Sequence, residues 1–392
     1  MTNEQAFENV GVNMKITKVE SVAVDRFLFA KIYTDEGIVG YGESGAWGFL
    51  EPSAAAIDKF GEYLTGKNPL LIEHHWQYMY RFSHFRGAAI MGALSALDIA
   101  LWDIAGKNFG VPVHQLLGGK TREKARVYYH VFGSTRDQLI NGVKEAKLKG
   151  FTAVGHLTPF LDEGRNLPYF KTHVSKMREA IDAVRMYRDA VGDEVDLCIE
   201  IHRRLSPAEA VVLARGIEEF HPLFYEDPIL PDNFDAMGLV ANGISIPIAT
   251  GERLHSIHEF QMLLSRGAVQ YIRPDVCLAG GITHTKKIAA LAEAHYVGVV
   301  PHNPLGPIST AACLQIAAAI PNFTIQEYPL GEHEPPKSEI VNKPLELREG
   351  FLMIPEAPGI GIEITEDAPK RFPAVSRPVN TRLHVDGSVF DQ

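Results

Sequence analysis

Apolar and polar residues alternate along residues 15–44, through KITKVESVAV, DRFLFAKIYT and GIVGYGES, with TDEG as a turn. This period of two predicts paired strands. Between about residues 53 and 109 the period becomes helical. There Leu94, Leu97, Ala100, Leu101 and Ile104 form one stripe that stops at Gly110. Together the two patterns predict an α+β unit over residues 1–124.

From residue 125 the pattern changes again. Eight short apolar runs follow: RVYYHVFG, FTAVGHL, VDLCIEIH, LFYEDPI, IPIATGE, VQYIRPDV, GVVPHNP and FTIQEY. Each of the first seven precedes a helix-like segment. In SPAEAVVLARGIEEF, for example, Ser206 is the predicted N-cap, Pro207 the first helical residue and Glu209 the third. Strands alternating with helices predict an α/β fold with a closed (β/α)8-type barrel over residues 125–328. An open doubly wound sheet is the rival, but no G-x-G-x-x-G follows the first strand. After Tyr328 the chain is Pro-rich and irregular, and residues 329–392 are expected to fold back over the first unit.

The barrel strands end on chemistry at a regular interval. Glu200, Glu226, Glu252, Asp275, His302 and Glu327 follow one another at 26, 26, 23, 27 and 25 residues, about one βα unit each time. All six should therefore meet at the C-terminal rim of the barrel, where active sites of this fold lie. Glu200, Glu226 and Glu252, converging without a basic partner, would repel one another, and a hard divalent cation resolves this. Oxygen-only ligands favour Mg²⁺, and no Cys/His cluster has zinc spacing. His202, two residues after Glu200, should share its face and point into the mouth. Asp275 is placed to hold one ring nitrogen of His302. A metal, a base and an acid suit removal of a proton α to a carboxylate, with the enediolate stabilised and a β-hydroxyl then expelled. His302 fits the base and His202 the acid.

Composition narrows the partners. The chain has 46% hydrophobic and 22% charged residues and a formal net charge of −10, which argues against nucleic acid. Cys198, Cys277 and Cys313 fit a reducing compartment, and Cys198 and Cys277, in apolar strand-like runs, read as buried thiols. The N-terminal stretch is polar, without a signal-peptide core, and no apolar run reaches about 18 residues. A cytoplasmic protein acting on a small molecule, away from membranes, is expected.

At these residues the sequence resembles the enolase superfamily, mandelate racemase subgroup. ALSALDIALWDIAGK, PVHQLLGG, the glutamate series, the Asp275–His302 pair and Glu327 all carry the likeness. ATGERLHS, RPDVCLAGGITHTKKIAALAEAHYVGVVPHNPLGP and IQEY are especially similar to acid-sugar dehydratases of the galactonate and mannonate type. The resemblance implies Mg²⁺-dependent dehydration of an aldonic or aldaric acid to a 2-keto-3-deoxy acid. His302 would be the base backed by Asp275, His202 the acid, and Glu327 a hydrogen-bonding electrophile toward the substrate carboxylate. It makes the first unit a capping domain whose loops, with Trp47 and Arg86, choose the substrate. Arg253 and Tyr169 are further candidate substrate contacts, and homo-oligomers are common among such barrels. Two departures stand out. Gly155 and Leu157 occupy the places of a racemase Lys-x-Lys pair, with His156 between them expected to face away. Glu200 stands where Asp is common. A racemase, epimerase or lactone cycloisomerase on the same scaffold is the alternative, and a non-catalytic barrel that binds a ligand is an alternative of another class.

Overall fold

Alternation along Phe27–Thr34 sorts that strand's side chains between two cores. Phe27 and Phe29 join the apolar cluster continuous with the barrel, whereas Leu28, Ala30 and Ile32 join the cluster of the N-terminal helices. The computed structural model describes residues 14–390 apart from 134, 165, 166 and 330; the polar start of the chain, through Asn13, lies outside the described residues. β1 (Ile16–Val24), β2 (Phe27–Thr34) and β3 (Val39–Glu43) form an antiparallel sheet in that order. Three helices follow: α1 (Leu50–Leu64), α2 (Ile72–Phe82) and α3 (Ala88–Phe109).

The predicted stripe of α3 is buried, and its C-cap is Gly110 at φ +68°. Ala93, Ala96 and Ile99, off that stripe, are buried too. The helix is enclosed because β3 lies against it so closely that a Cβ on Gly42 would come within 1.8 Å of the Ala96 carbonyl oxygen. By length and composition α3 could cross a membrane, which the sequence had been expected to exclude; 78% of its most apolar window is buried inside the protein, as in a core helix.

Eight parallel strands make the barrel: β4 (Lys124–His130), β5 (Ala153–Leu157), β6 (Asp196–Glu200), β7 (Phe224–Glu226), β8 (Ile248–Thr250), β9 (Tyr271–Ile272), β10 (Gly298–Val299) and β11 (Gln326–Tyr328). Neighbours pair in sequence order, β11 pairs with β4, and a Val299–Phe323 bridge joins the last two, so the sheet closes. Among the described residues seven α-helices connect the strands, including Pro207–Ile217, whose Ser206–Glu209 capping box forms as predicted. Beyond β11 the chain divides its contacts. Phe351–Met353 pairs antiparallel with β4, Ile360 N–H donates to Asp103, Glu366 pairs with Lys31, and residues 382–390 reach the loop after β5.

The N-terminal unit docks on the loops that directly follow Asp275 and His302. Trp76 Nε1–H donates to the Gly280 carbonyl at 2.8 Å, Thr283 donates to Asp98, and the N–H groups of Gly306 and Ser309 donate to Glu43 at 2.7 and 2.9 Å. Burial pushes Glu43 up to about 8 from its ordinary 4.5, outweighing those two N–H bonds. A carboxyl whose folded value is raised stabilises the fold fully below its ordinary value, and that stability is lost as pH rises through about 8. Urea denaturation at pH 5 and pH 8 should therefore show stability falling with pH. The fall should be smaller in Glu43→Gln, by on the order of 3 kcal/mol. Equal falls in the two proteins would refute this.

Candidate active site

The glutamates arrive where the interval places them. Glu200 and Glu226 end adjacent strands and stand in register, and Glu252 lies two residues beyond β8. Each of the three offers a carboxylate oxygen within 4.8 Å of the others. Oxygens around one ion can be no further apart than twice the metal–oxygen distance, about 4.2 Å for Mg²⁺ and about 5 Å for Ca²⁺. The set therefore fits one hard cation with slight closure. Glu200 Oε1 strengthens the fit, because it is buried with no hydrogen-bond partner.

The expectation of no basic partner is wrong. Two buried arginines stand behind the carboxylates. Arg273 Nε contacts Glu226 Oε1 at 2.6 Å, its Nη2 donates to Glu327 at 2.6 Å, and its Nη1 donates to the Tyr128 hydroxyl. Arg203 pairs with both Glu252 and Asp227. The case for a cation survives because six carboxylates here are buried or nearly so (Glu200, Glu226, Asp227, Glu252, Asp275 and Glu327), and the two guanidiniums pair with four of them. Burial pushes Glu226 well up, and neighbouring carboxylates add to this despite Arg273. The arrangement is short of positive charge.

Asp275 and His302 form a bridge between adjacent strand ends, and His302 Nδ1–H donates to Asp275 Oδ2 at 2.9 Å. The opposite nitrogen, Nε2, lies 3.4 Å from Glu252. Burial alone would lower His302, but Glu252, Glu327 and Asp275 raise it to about 9. His202 Nε2 lies 3.8 Å from Glu200, and burial lowers this imidazole despite that carboxylate. This ordering is opposite to that of a free base at 302 and a charged acid at 202. It reflects the negative charge that Glu252, Glu327 and Asp275 together place around His302, and a cation held at Glu252 would bring His302 down.

His156 overturns the alternation argument. Between the pairs Val154–Leu197 and Leu157–Ile199, β5 has two residues where β6 has one, and His156 takes φ +56°. This bulge turns the ring inward, where Nδ1–H donates to Glu200 Oε2 at 2.9 Å. His130, absent from the candidates that the sequence suggests, ends β4 and pairs with Glu327 at 2.8 Å, its ring 5.2 Å from that of His156. A signal was present: His130 and His156 are also one βα interval apart.

Glu327 departs from the role of a donor. Burial would raise it, but Arg273, His302 and His130 hold it well below the usual carboxylate range. Its oxygens accept from Arg273, from the Asn303 N–H and from His130. An ionised carboxylate has no proton to donate. Glu327 holds Arg273 and His130 in place.

The four proposed substrate contacts lie outside this cluster. Trp47 is 49% exposed beneath the Arg377 guanidinium, and Arg253 is exposed on the loop after Glu252. Arg86 donates to the Ser83 carbonyl and stacks on Tyr80 at the end of α2. Tyr169 is buried against Phe390 and His384, its ring under Arg204 and Arg382. Gly155 has no room for a lysine in its place: a Cβ there would lie 2.2 Å from the Tyr128 ring.

Residues 136–368 match the enolase C-terminal domain-like family, and residues 7–118 match the mandelate racemase / muconate lactonizing enzyme N-terminal domain. The chain is 38% identical over 397 residues to a D-galactonate dehydratase of Variovorax paradoxus, covering 96% of this chain and 100% of that one. It is also 38% identical to a D-galactonate dehydratase of Xanthomonas oryzae pv. oryzae, with coverages of 96% and 100%. Among solved structures, an enolase from Agrobacterium radiobacter bound to sodium and L-malate aligns with a TM-score of 0.90 at 30% identity, over 96% of this chain and 100% of that one. A member of the enolase superfamily from Salmonella Typhimurium aligns at 0.85 with 33% identity, over 92% and 98% of the two chains.

Proposed function

This chain belongs to the enolase superfamily and is a hydro-lyase of the sugar-acid dehydratase type, and on that premise we propose that it dehydrates an aldonic acid of the galactonate class with Mg²⁺ as cofactor. Glu200, Glu226 and Glu252 would hold the cation, which when bound stabilises negative charge developing on the substrate carboxylate. His302 Nε2 takes the proton from C2, its ring fixed by the Nδ1 bond to Asp275. His202, beside Glu200, gives a proton to the 3-hydroxyl, which leaves as water. The resulting enol tautomerises to the 2-keto-3-deoxy acid. His156 and His130 extend the imidazole wall over which the hydroxylated chain of the substrate would lie. The reaction would take place in the cytoplasm on a free small molecule.

The observation that carries this reading is that two imidazoles stand beside one carboxylate triad, His302 within 3.4 Å of Glu252 and His202 within 3.8 Å of Glu200. The relatives' name, D-galactonate dehydratase, supports the substrate class, as does the 2-hydroxy acid L-malate bound by the Agrobacterium radiobacter enolase. The filled space at Gly155 counts against a racemase, since no second-strand lysine can serve the other face of C2. Incubation with galactonate, gluconate, mannonate, arabinonate and galactarate in the presence of Mg²⁺, followed by semicarbazide detection, should yield a 2-keto acid from galactonate or a close epimer. Consumption of a substrate with no keto acid formed would overturn dehydration.

A further inference from the structure

The turn that carries His202 is held in an unfavourable backbone conformation. His202 and Arg203 both lie in the left-handed region, at φ +59° and +66°, which L side chains seldom adopt in succession. Such a conformation persists only where its surroundings enforce it. From inside the barrel, Arg203 enforces it through Asp227, whose carbonyl accepts the Arg203 N–H at 2.8 Å. From outside, the next residue, Arg204, is the anchor.

Arg204 sits in a nest with two walls. One wall is the loop after β5: Nη2 donates to Glu163 at 2.8 Å, and the guanidinium lies 4.1 Å over the Phe160 ring. The other wall is the end of the chain, where Phe390 lies 4.7 Å from the same guanidinium. The chain end is itself a tight hairpin. Phe390 N–H donates to Arg382 O, and His384 N–H to Ser388 O. It is fastened to the loop by an exchange of backbone bonds, Tyr169 N–H to Leu383 O and Val385 N–H to Tyr169 O. Arg382 also reaches Glu163 Oε2 at 3.0 Å, so one carboxylate oxygen binds the hairpin and Arg204 together.

We propose that the C-terminal hairpin, residues 382–390, positions His202 by completing the nest of Arg204, making the end of the chain a working part of the acid–base site. Arg204, Arg382 and Phe390 are then positioning residues that act through the turn without touching the substrate. The catalytic part of the proposal rests on the role of His202 proposed above; the mechanical part does not.

Two measurements on full-length protein separate these. In Phe390→Ala and Arg382→Ala, hydrogen exchange of residues 201–205 should quicken by about tenfold, with β7 and β9 unchanged. On the sugar acid, kcat should fall by about 10- to 100-fold at near-constant KM, with Mg²⁺ affinity from calorimetry unaltered. Arg382→Lys, which keeps a cation against Glu163, should recover most of the loss. Arg382→Ala leaves Phe390 against Tyr169 and Arg204, so it decides the matter if Phe390→Ala fails to fold. Faster exchange confined to the hairpin and residues 158–163, with residues 201–205 and kcat at parental values, would overturn the proposal. If no sugar acid is turned over even by the parent protein, the proposed function fails, and the exchange data still decide whether the hairpin holds the turn.

Discussion

Replacing His302 by Asn should lower kcat on the sugar acid by about three to four orders of magnitude, toward the upper end of what a general base contributes. Asn keeps a donor near the position of Nδ1, so the partner of Asp275 is preserved while Nε2 is removed. The cleaner readout is exchange of the C2 proton in D₂O. His302→Asn should abolish it, because the base is gone. His202→Asn should retain exchange while elimination slows, because that imidazole serves the leaving group. The reverse pattern would swap the two assignments. The raised His302 and lowered His202 make this test a severe one, since unscreened carboxylates order the two imidazoles the other way.

The barrel and most of the carboxylate rim were legible because both derive from a repeat. A βα unit has a nearly fixed length, so residues at successive strand ends recur at that length, and Glu200, Glu226, Glu252, Asp275, His302 and Glu327 all do so. Alternation worked wherever the ladder was regular, as in β2. It failed at His156 because one extra residue in β5 reverses the face of the residues after it, and a bulge at a non-glycine residue leaves no mark in the pattern. The arginines were missed for a different reason. Arg203 and Arg273 sit in runs that read as a loop start and a strand interior. Their burial is intelligible only once Glu226, Asp227, Glu252 and Glu327 are seen to surround them. Tyr169 was misplaced because its partners, His384 and Phe390, lie more than 200 residues further along the chain, beyond the reach of any local pattern.

Arg273 leads to the largest expected effect on stability. Its side chain is 1% exposed and contacts Glu226 and Glu327 at 2.6 Å each, with its third arm on Tyr128. Arg273→Met keeps much of the volume but leaves two buried carboxylates facing each other with no fixed cation between them. Removing one partner of a buried ion pair is destabilising by about 3–5 kcal/mol, because the abandoned charge cannot return to water. Urea denaturation without added metal should show a loss of that size. In the double variant Arg273→Met/Glu226→Gln the loss should be smaller than the sum of the two single losses, since the second change removes the charge stranded by the first. Additive losses would mean that Arg273 acts through Glu327 and Tyr128 alone. Mg²⁺ should restore part of the stability of Arg273→Met by binding Glu226, and less of it in the double variant, where Glu200 and Glu252 alone remain. The floor of the site would then be a place where arginine and metal share one carboxylate, that of Glu226.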